Sequence, residues 1–237
     1  MAQFLRGLHS LMRCPPRHRL PSPVRRFSSS TFPVVDGSTL FEEEAMPCWE
    51  MGLFYPVRIG EVFKDRYQVL RKMGYGANST VWMCRDLMYV SWLFPPTRSM
   101  LLASDFSSRL RQHVAVKVHV HYRVKFREIE VLRHLASLKS KHPGKHHVRG
   151  MQDSFDITGP LGEHHCIVYE PLLCTIMELR DLLPSKRMGD QLLKLTLTEV
   201  LQAVDYLHTV AGVIHTGQAQ CSLLVSTLMY CLRYTSE

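Results

Sequence analysis

The stretch whose residue types could do chemistry is Lys72-Met73-Gly74-Tyr75-Gly76-Ala77-Asn78-Ser79-Thr80-Val81-Trp82, with two glycines two residues apart. Glycine lets a backbone approach a phosphate closely and take angles that a side chain forbids. Tyr67, Val69 and Leu70 precede it and Val81, Trp82, Met83 and Cys84 follow, so the glycines are expected in a turn between two strands. A dinucleotide fold would want them between a strand and a helix, and a Walker loop would want Gly-x-x-x-x-Gly-Lys-Ser/Thr; the chain offers neither. Farther on, Val114-Ala115-Val116-Lys117-Val118 is a hydrophobic strand carrying one lysine. Phe126 to Leu135 then opens a helix in which Glu128, or its rival Glu130, could pair with that lysine.

Together these residues resemble the eukaryotic protein kinases, and in particular the SR-protein-kinase-like group found in fungi. Gly74, Gly76, Ser79 and Val81 match the kinase pattern Gly-x-Gly-x-x-Gly-x-Val, with Ser79 in the third glycine's place. The resemblance implies ATP as cofactor, with magnesium held only through the nucleotide. Ala115 and Lys117 would lie on the strand whose lysine holds the α- and β-phosphates, and Glu128 would hold Lys117. Tyr169-Glu170-Pro171-Leu172 falls at the hinge, where backbone groups of Glu170 and Leu172 would read the adenine edge; Pro171 can offer a carbonyl but no N–H. Tyr55-Pro56-Val57-Arg58-Ile59-Gly60 resembles the group's lead-in to its first strand, and the segments Val148 to Phe155 and His165 to Val168 its two central strands. The implied fold is α+β: a small lobe of antiparallel sheet plus helix, followed by an incomplete helical large lobe. The implied activity is transfer of the ATP γ-phosphate to a serine or threonine of an Arg/Ser-rich protein, in cytoplasm or nucleus.

The same resemblance marks departures. Val213-Ile214-His215-Thr216 matches the entry to the catalytic loop, yet the expected aspartate is Gly217 and the magnesium-binding asparagine position holds Ser222. Glycine has no acid–base group, so a general base is missing there. Asp205 reads as a helix-face residue rather than a substitute. No Asp-Phe-Gly follows. Three readings stay open: a kinase, a nucleotide-binding pseudokinase or regulatory module, and a non-functional truncated product. An insertion near residues 88–111 interrupts the match, and the connection from Lys117 to Phe126 is shorter than the family's.

The elements that must position these groups can be read from pattern. Ile129, Leu132 and Leu135 recur as a buried stripe. Leu179 to Pro184 looks like the first short helix of the large lobe. Leu193, Leu197, Val200, Leu201, Val204 and Leu207 form the strongest helical period, matching the family's long buried helix, with apolar positions left exposed if the core beyond it is missing. The domains are therefore a basic tail over 1–41, a small lobe over 42–172 and a partial large lobe over 173–237. The tail is Arg- and Ser-rich with no acid before Asp36, which fits either a mitochondrial targeting segment or a disordered arm. Glu42-Glu43-Glu44 is a solvated run.

At 237 residues, 46% hydrophobic, the chain can build a sizeable core, and the net charge of +8 favours anionic partners. Basic residues are not interleaved with aromatics, so no direct nucleic-acid contact is expected. Seven cysteines without a Cys-x-x-Cys pair give neither a zinc framework nor a disulfide scaffold. His142, His146, His147, His164 and His165 lack further ligands and are expected on surface connections, so no metal site is expected. No apolar run is long enough to span a bilayer.

Overall fold

The computed structural model describes residues 22–27, 36, 39–46, 52–88, 112–121, 127–172, 176–183 and 185–214. The lead-in segment turns into β1 (Val62–Phe63), and β2 (Tyr67–Gly76) and β3 (Ser79–Asp86) form a hairpin closed by the pair Gly76 and Ser79. Strand β4 (His113–His119) pairs antiparallel with β3 from Arg85–His113 to Ser79–His119. Helix α1 (Arg127–Ser137) follows, then a short 3-10 turn (Pro143–His147) and a second hairpin, β5 (Met151–Thr158) and β6 (Glu163–Tyr169). The six strands make one antiparallel sheet in the order β1-β2-β3-β4-β6-β5. The two segments expected as central strands thus separate: β6 lies inside the sheet, but β5 is its edge.

Strand periodicity explains the layers. Side chains alternate between faces along a strand, and β3 alternates half-buried and buried throughout. On one face Tyr67, Val69, Trp82, Cys84, Val116, Val118, Cys166 and Val168 make the main core, closed by Tyr55 and Val57 of the lead-in and by Phe155. On the other, Ala115, Ile167 and Tyr169 pack with Ile129 of α1, and Val81, Leu132 and Met151 border them. Covered on both sides, β4 carries the continuous apolar run Val114 to Val118, broken by Lys117 alone.

Two sequence expectations are corrected here. Residues 22–27 are not a free tail: the Arg25 N–H donates to Gln68 Oε1 at 2.9 Å, and Gln68 Nε2 donates back to the Arg25 carbonyl at 2.7 Å. Gln68 is fully buried, so its amide needs these backbone partners, which composition does not reveal. Nor are Glu42 and Glu43 merely solvated. They sit on a 3-10 turn (Glu42–Ala45), and both pair with Lys72, whose ammonium also lies 5.4 Å from the Tyr75 ring and 5.6 Å from that of Trp82. The segment 89–111, where most of the insertion falls, lies outside the described residues; its bordering strand ends are joined by the Asp86 N–H donating to the Gln112 carbonyl at 2.9 Å.

Beyond the sheet lie α2 (Ile176–Leu182) and α3 (Asp190–Asp205), the latter continuing as a π turn to Val210. The leucine stripe of α3 carries the exposed apolar positions expected of a partial large lobe: Leu193, Leu197 and Leu201 are 42%, 50% and 66% exposed, while Thr196, Glu199 and Ala203 are buried. The helix docks on the Pro143–His147 turn through Gly144, whose missing side chain leaves room for the Gln202 carbonyl; an added Cβ would stand 1.8 Å from that oxygen. Tyr206, Leu207 and Ala211 then join Leu135, Leu138, Val148 and Val213 in a third core. The histidine expectation also fails in part, because His164 and His165 lie on β6 rather than in a connection and His164 is fully buried.

Candidate functional site

Pairing register assembles the site on the α1 side of the sheet. Gly74, Val81, Lys117 and Ile167 stand opposite one another across four strands, and Gly76, Ser79 and His119 form the next row. Ala115 precedes Lys117 by two residues and so shares its face, opposite Tyr169. Neither Gly74 nor Gly76 takes a positive φ, which corrects the expectation that the loop needs forbidden angles. What glycine provides is space: a Cβ built at either position meets nothing within 4 Å, so the bare backbone lies open to a ligand.

Helix α1 brings Glu128 onto this face in its first turn. Lys117 Nζ donates to Glu128 Oε1 at 2.9 Å and to Oε2 at 2.7 Å, and the Tyr169 hydroxyl donates to Oε1 at 2.8 Å. His119 Nε2 lies 3.3 Å from Oε2. Burial pushes the Glu128 carboxyl up, but His119, Lys117 and Tyr169 outweigh it and hold the group down at about 2, so it stays a carboxylate. Burial and the facing Glu128 both push the Tyr169 phenol up, which keeps it a proton donor. Glu130 is exposed and on another side of α1, so the rivalry between the two glutamates is resolved by helix phase.

At the end of β6, Glu170, Pro171 and Leu172 leave the sheet without regular structure. The Glu170 carbonyl accepts a bond from Arg149 Nη2 at 2.6 Å, and the Arg149 guanidinium lies 4.3 Å from the Tyr169 ring centre. Asp205 is exposed on its helix and faces His142 Nε2 at 3.1 Å. His215, Thr216, Gly217 and Ser222 lie outside the described residues. Among the described residues no group of three or more His, Cys, Asp or Glu side chains could hold a metal ion. His119 and Arg149 as partners of the site were missed in the sequence; Tyr169 was expected with Val168 to back the adenine pocket, but Tyr169 donates to Glu128 and Val168 belongs to the core of the opposite face. For His119 the signal was its place two residues after Lys117 in a strand.

No family model matches the chain. It is similar to a serine/threonine protein kinase of Aspergillus fumigatus, 44% identical over 211 residues, which cover 86% of this chain and 48% of the relative. The protein kinase dsk1 of Schizosaccharomyces pombe is 32% identical over 81% of this chain and 33% of its own length. The serine/threonine-protein kinase SRPK of Physarum polycephalum is 32% identical over 82% and 42%. The chain thus spans about half, or less, of the length of these relatives. Among solved structures, a crystallised kinase domain matches 66% of this chain and 39% of its own, with 18% identity and a TM-score of 0.47.

Proposed function

We propose that the chain, closely related to the SR-protein-kinase-like serine/threonine kinases and matching part of their length, is a nucleotide-binding module that takes Mg-ATP on the α1 side of its sheet, beside the open backbone of Gly74 and Gly76. One observation carries this reading: the Lys117–Glu128 pair stands in register with the unobstructed backbone of Gly74 and with Val81. Lys117 would present its ammonium to the α- and β-phosphates while Glu128 fixes its direction. The backbone of Gly74 to Ser79 would cover the phosphates, Val81 and Ala115 would flank the adenine, and the backbone of Glu170 and Leu172 would bond its edge. Magnesium would enter with the nucleotide. When bound, ATP supplies the transferable phosphoryl group.

Gly217 favours a regulatory, nucleotide-responsive role over phosphotransfer by this chain, because no proton acceptor stands where the relatives' pattern places an aspartate. A protein carrying Arg/Ser-rich segments is the proposed partner class. Calorimetry of Mg-ATP binding to the wild-type chain and to Lys117→Ala, both checked for folding by circular dichroism, tests the proposal. Saturable binding that the substitution removes supports it, and a folded wild type that binds no nucleotide overturns it. Phosphate incorporation into an Arg/Ser-rich peptide, lost in Lys117→Ala, would replace the regulatory reading with a catalytic one.

A further inference from the structure

Glu128 sits at the second position of α1, where a helix has no preceding turn to support it. A carboxylate at such a position can swing about its side-chain bonds, and Lys117, a long chain of single bonds, would swing with it. Two stiff groups on the sheet confine it. The Tyr169 hydroxyl takes Oε1 at 2.8 Å, and the His119 imidazole lies beside Oε2, its Nε2 at 3.3 Å. The side chain of His119 is 3% exposed, and its position is fixed from two directions. Its backbone carbonyl is bonded by His164 Nδ1 at 2.9 Å from the neighbouring strand β6, and on the other side its Cα stands opposite Ser79.

We propose that His119 is a positioning residue: with Tyr169 it brackets the Glu128 carboxylate, fixes the first turn of α1 to the sheet and so holds Lys117 in the direction from which it meets phosphate. The proposal rests on the nucleotide reading for its consequence but not for its geometry. Strand alternation after Lys117 delivers the imidazole to this face, and a valine or isoleucine there would fill the space without offering a ring nitrogen. Among the described residues, Glu128 of α1 faces the imidazole, Lys117 shares its strand and face, Tyr169 of β6 bonds the same carboxylate, and His164 of β6 bonds the His119 backbone carbonyl.

The test pairs substitution with spectroscopy on the full chain. His119→Val should weaken Mg-ATP binding about five-fold, the size expected from one lost polar contact to a carboxylate, while His119→Gln, which keeps a side-chain N–H, should stay within about two-fold of wild type. Independently, Glu128→Gln should move the ring-nitrogen resonances of His119 in a histidine-labelled sample, and Glu130→Gln should leave them in place. Wild-type affinity in His119→Val, equal loss in the valine and glutamine variants, or resonances indifferent to Glu128→Gln would each overturn the proposal. If the folded wild type binds no nucleotide, the functional reading fails, and the resonance measurement still decides the His119–Glu128 contact.

Discussion

Glu128 is the most heavily engaged side chain of the site, with Lys117, Tyr169 and His119 around one carboxylate. Its carboxyl is held at about 2 against an ordinary 4.5, so the native state binds its proton more weakly than the unfolded chain does. The resulting stabilisation is complete above pH 4.5 and is lost as pH falls towards 2. Glu128→Gln should therefore lower the melting temperature at neutral pH, and the gap to wild type should narrow on acidification through that window. A gap that stays constant in melts taken across it would show that the carboxylate's charge is not what stabilises the fold. Lys117 was legible as the one polar residue in a patterned apolar strand, whereas Glu128 stands among other charged residues and was reached through the family pattern, with Glu130 as its rival. The contacts of His119 and Tyr169 with that carboxylate were not legible, since Tyr169 was expected only to back the adenine pocket and a histidine in a strand carries no mark of a shared partner. Only pairing across strands brings them together.

Elements were more legible than their contacts. The glycine hairpin, the lysine strand and the two longer helices follow from period and turn residues, which are local. The side on which α3 docks is a long-range fact, decided by Gly144 rather than by the helix's own leucines. Gly144→Ala would drive a Cβ into the Gln202 carbonyl and to within 2.9 Å of Tyr206 Cβ, and backbone gives way poorly. It should destabilise the fold by about 1–3 kcal/mol, as overpacked cores do, readable as a lower denaturant midpoint. Gly74→Ala is its counterpart on the open side. With nothing within 4 Å of the new methyl, stability should change by no more than about 0.5 kcal/mol, while Mg-ATP binding weakens because the methyl stands between backbone and phosphate. Unchanged affinity in that variant would argue against close approach at Gly74.

For the molecule as a whole, the exposed leucines of α3 are an apolar surface through which copies of the chain are expected to associate. Leu193, Leu197 and Leu201 present an apolar strip, with Leu195 exposed on another side of the helix, on a chain of net charge +8. Sedimentation velocity should show concentration-dependent association that the paired change Leu197→Glu and Leu201→Glu reduces, with the melting temperature held. Persistence of association in that variant would assign it to another surface. Domain limits were the least legible feature, because the contact that includes residues 22–27 in the folded body runs through backbone atoms and one buried amide. That contact ties the arm to the stability of the sheet. A cut after Phe27 would remove both backbone partners of the Gln68 amide, a loss of about 0.5–1.5 kcal/mol for each hydrogen bond exchanged for water. Any trimming of this arm is then also a change in the lifetime of the protein it leaves behind.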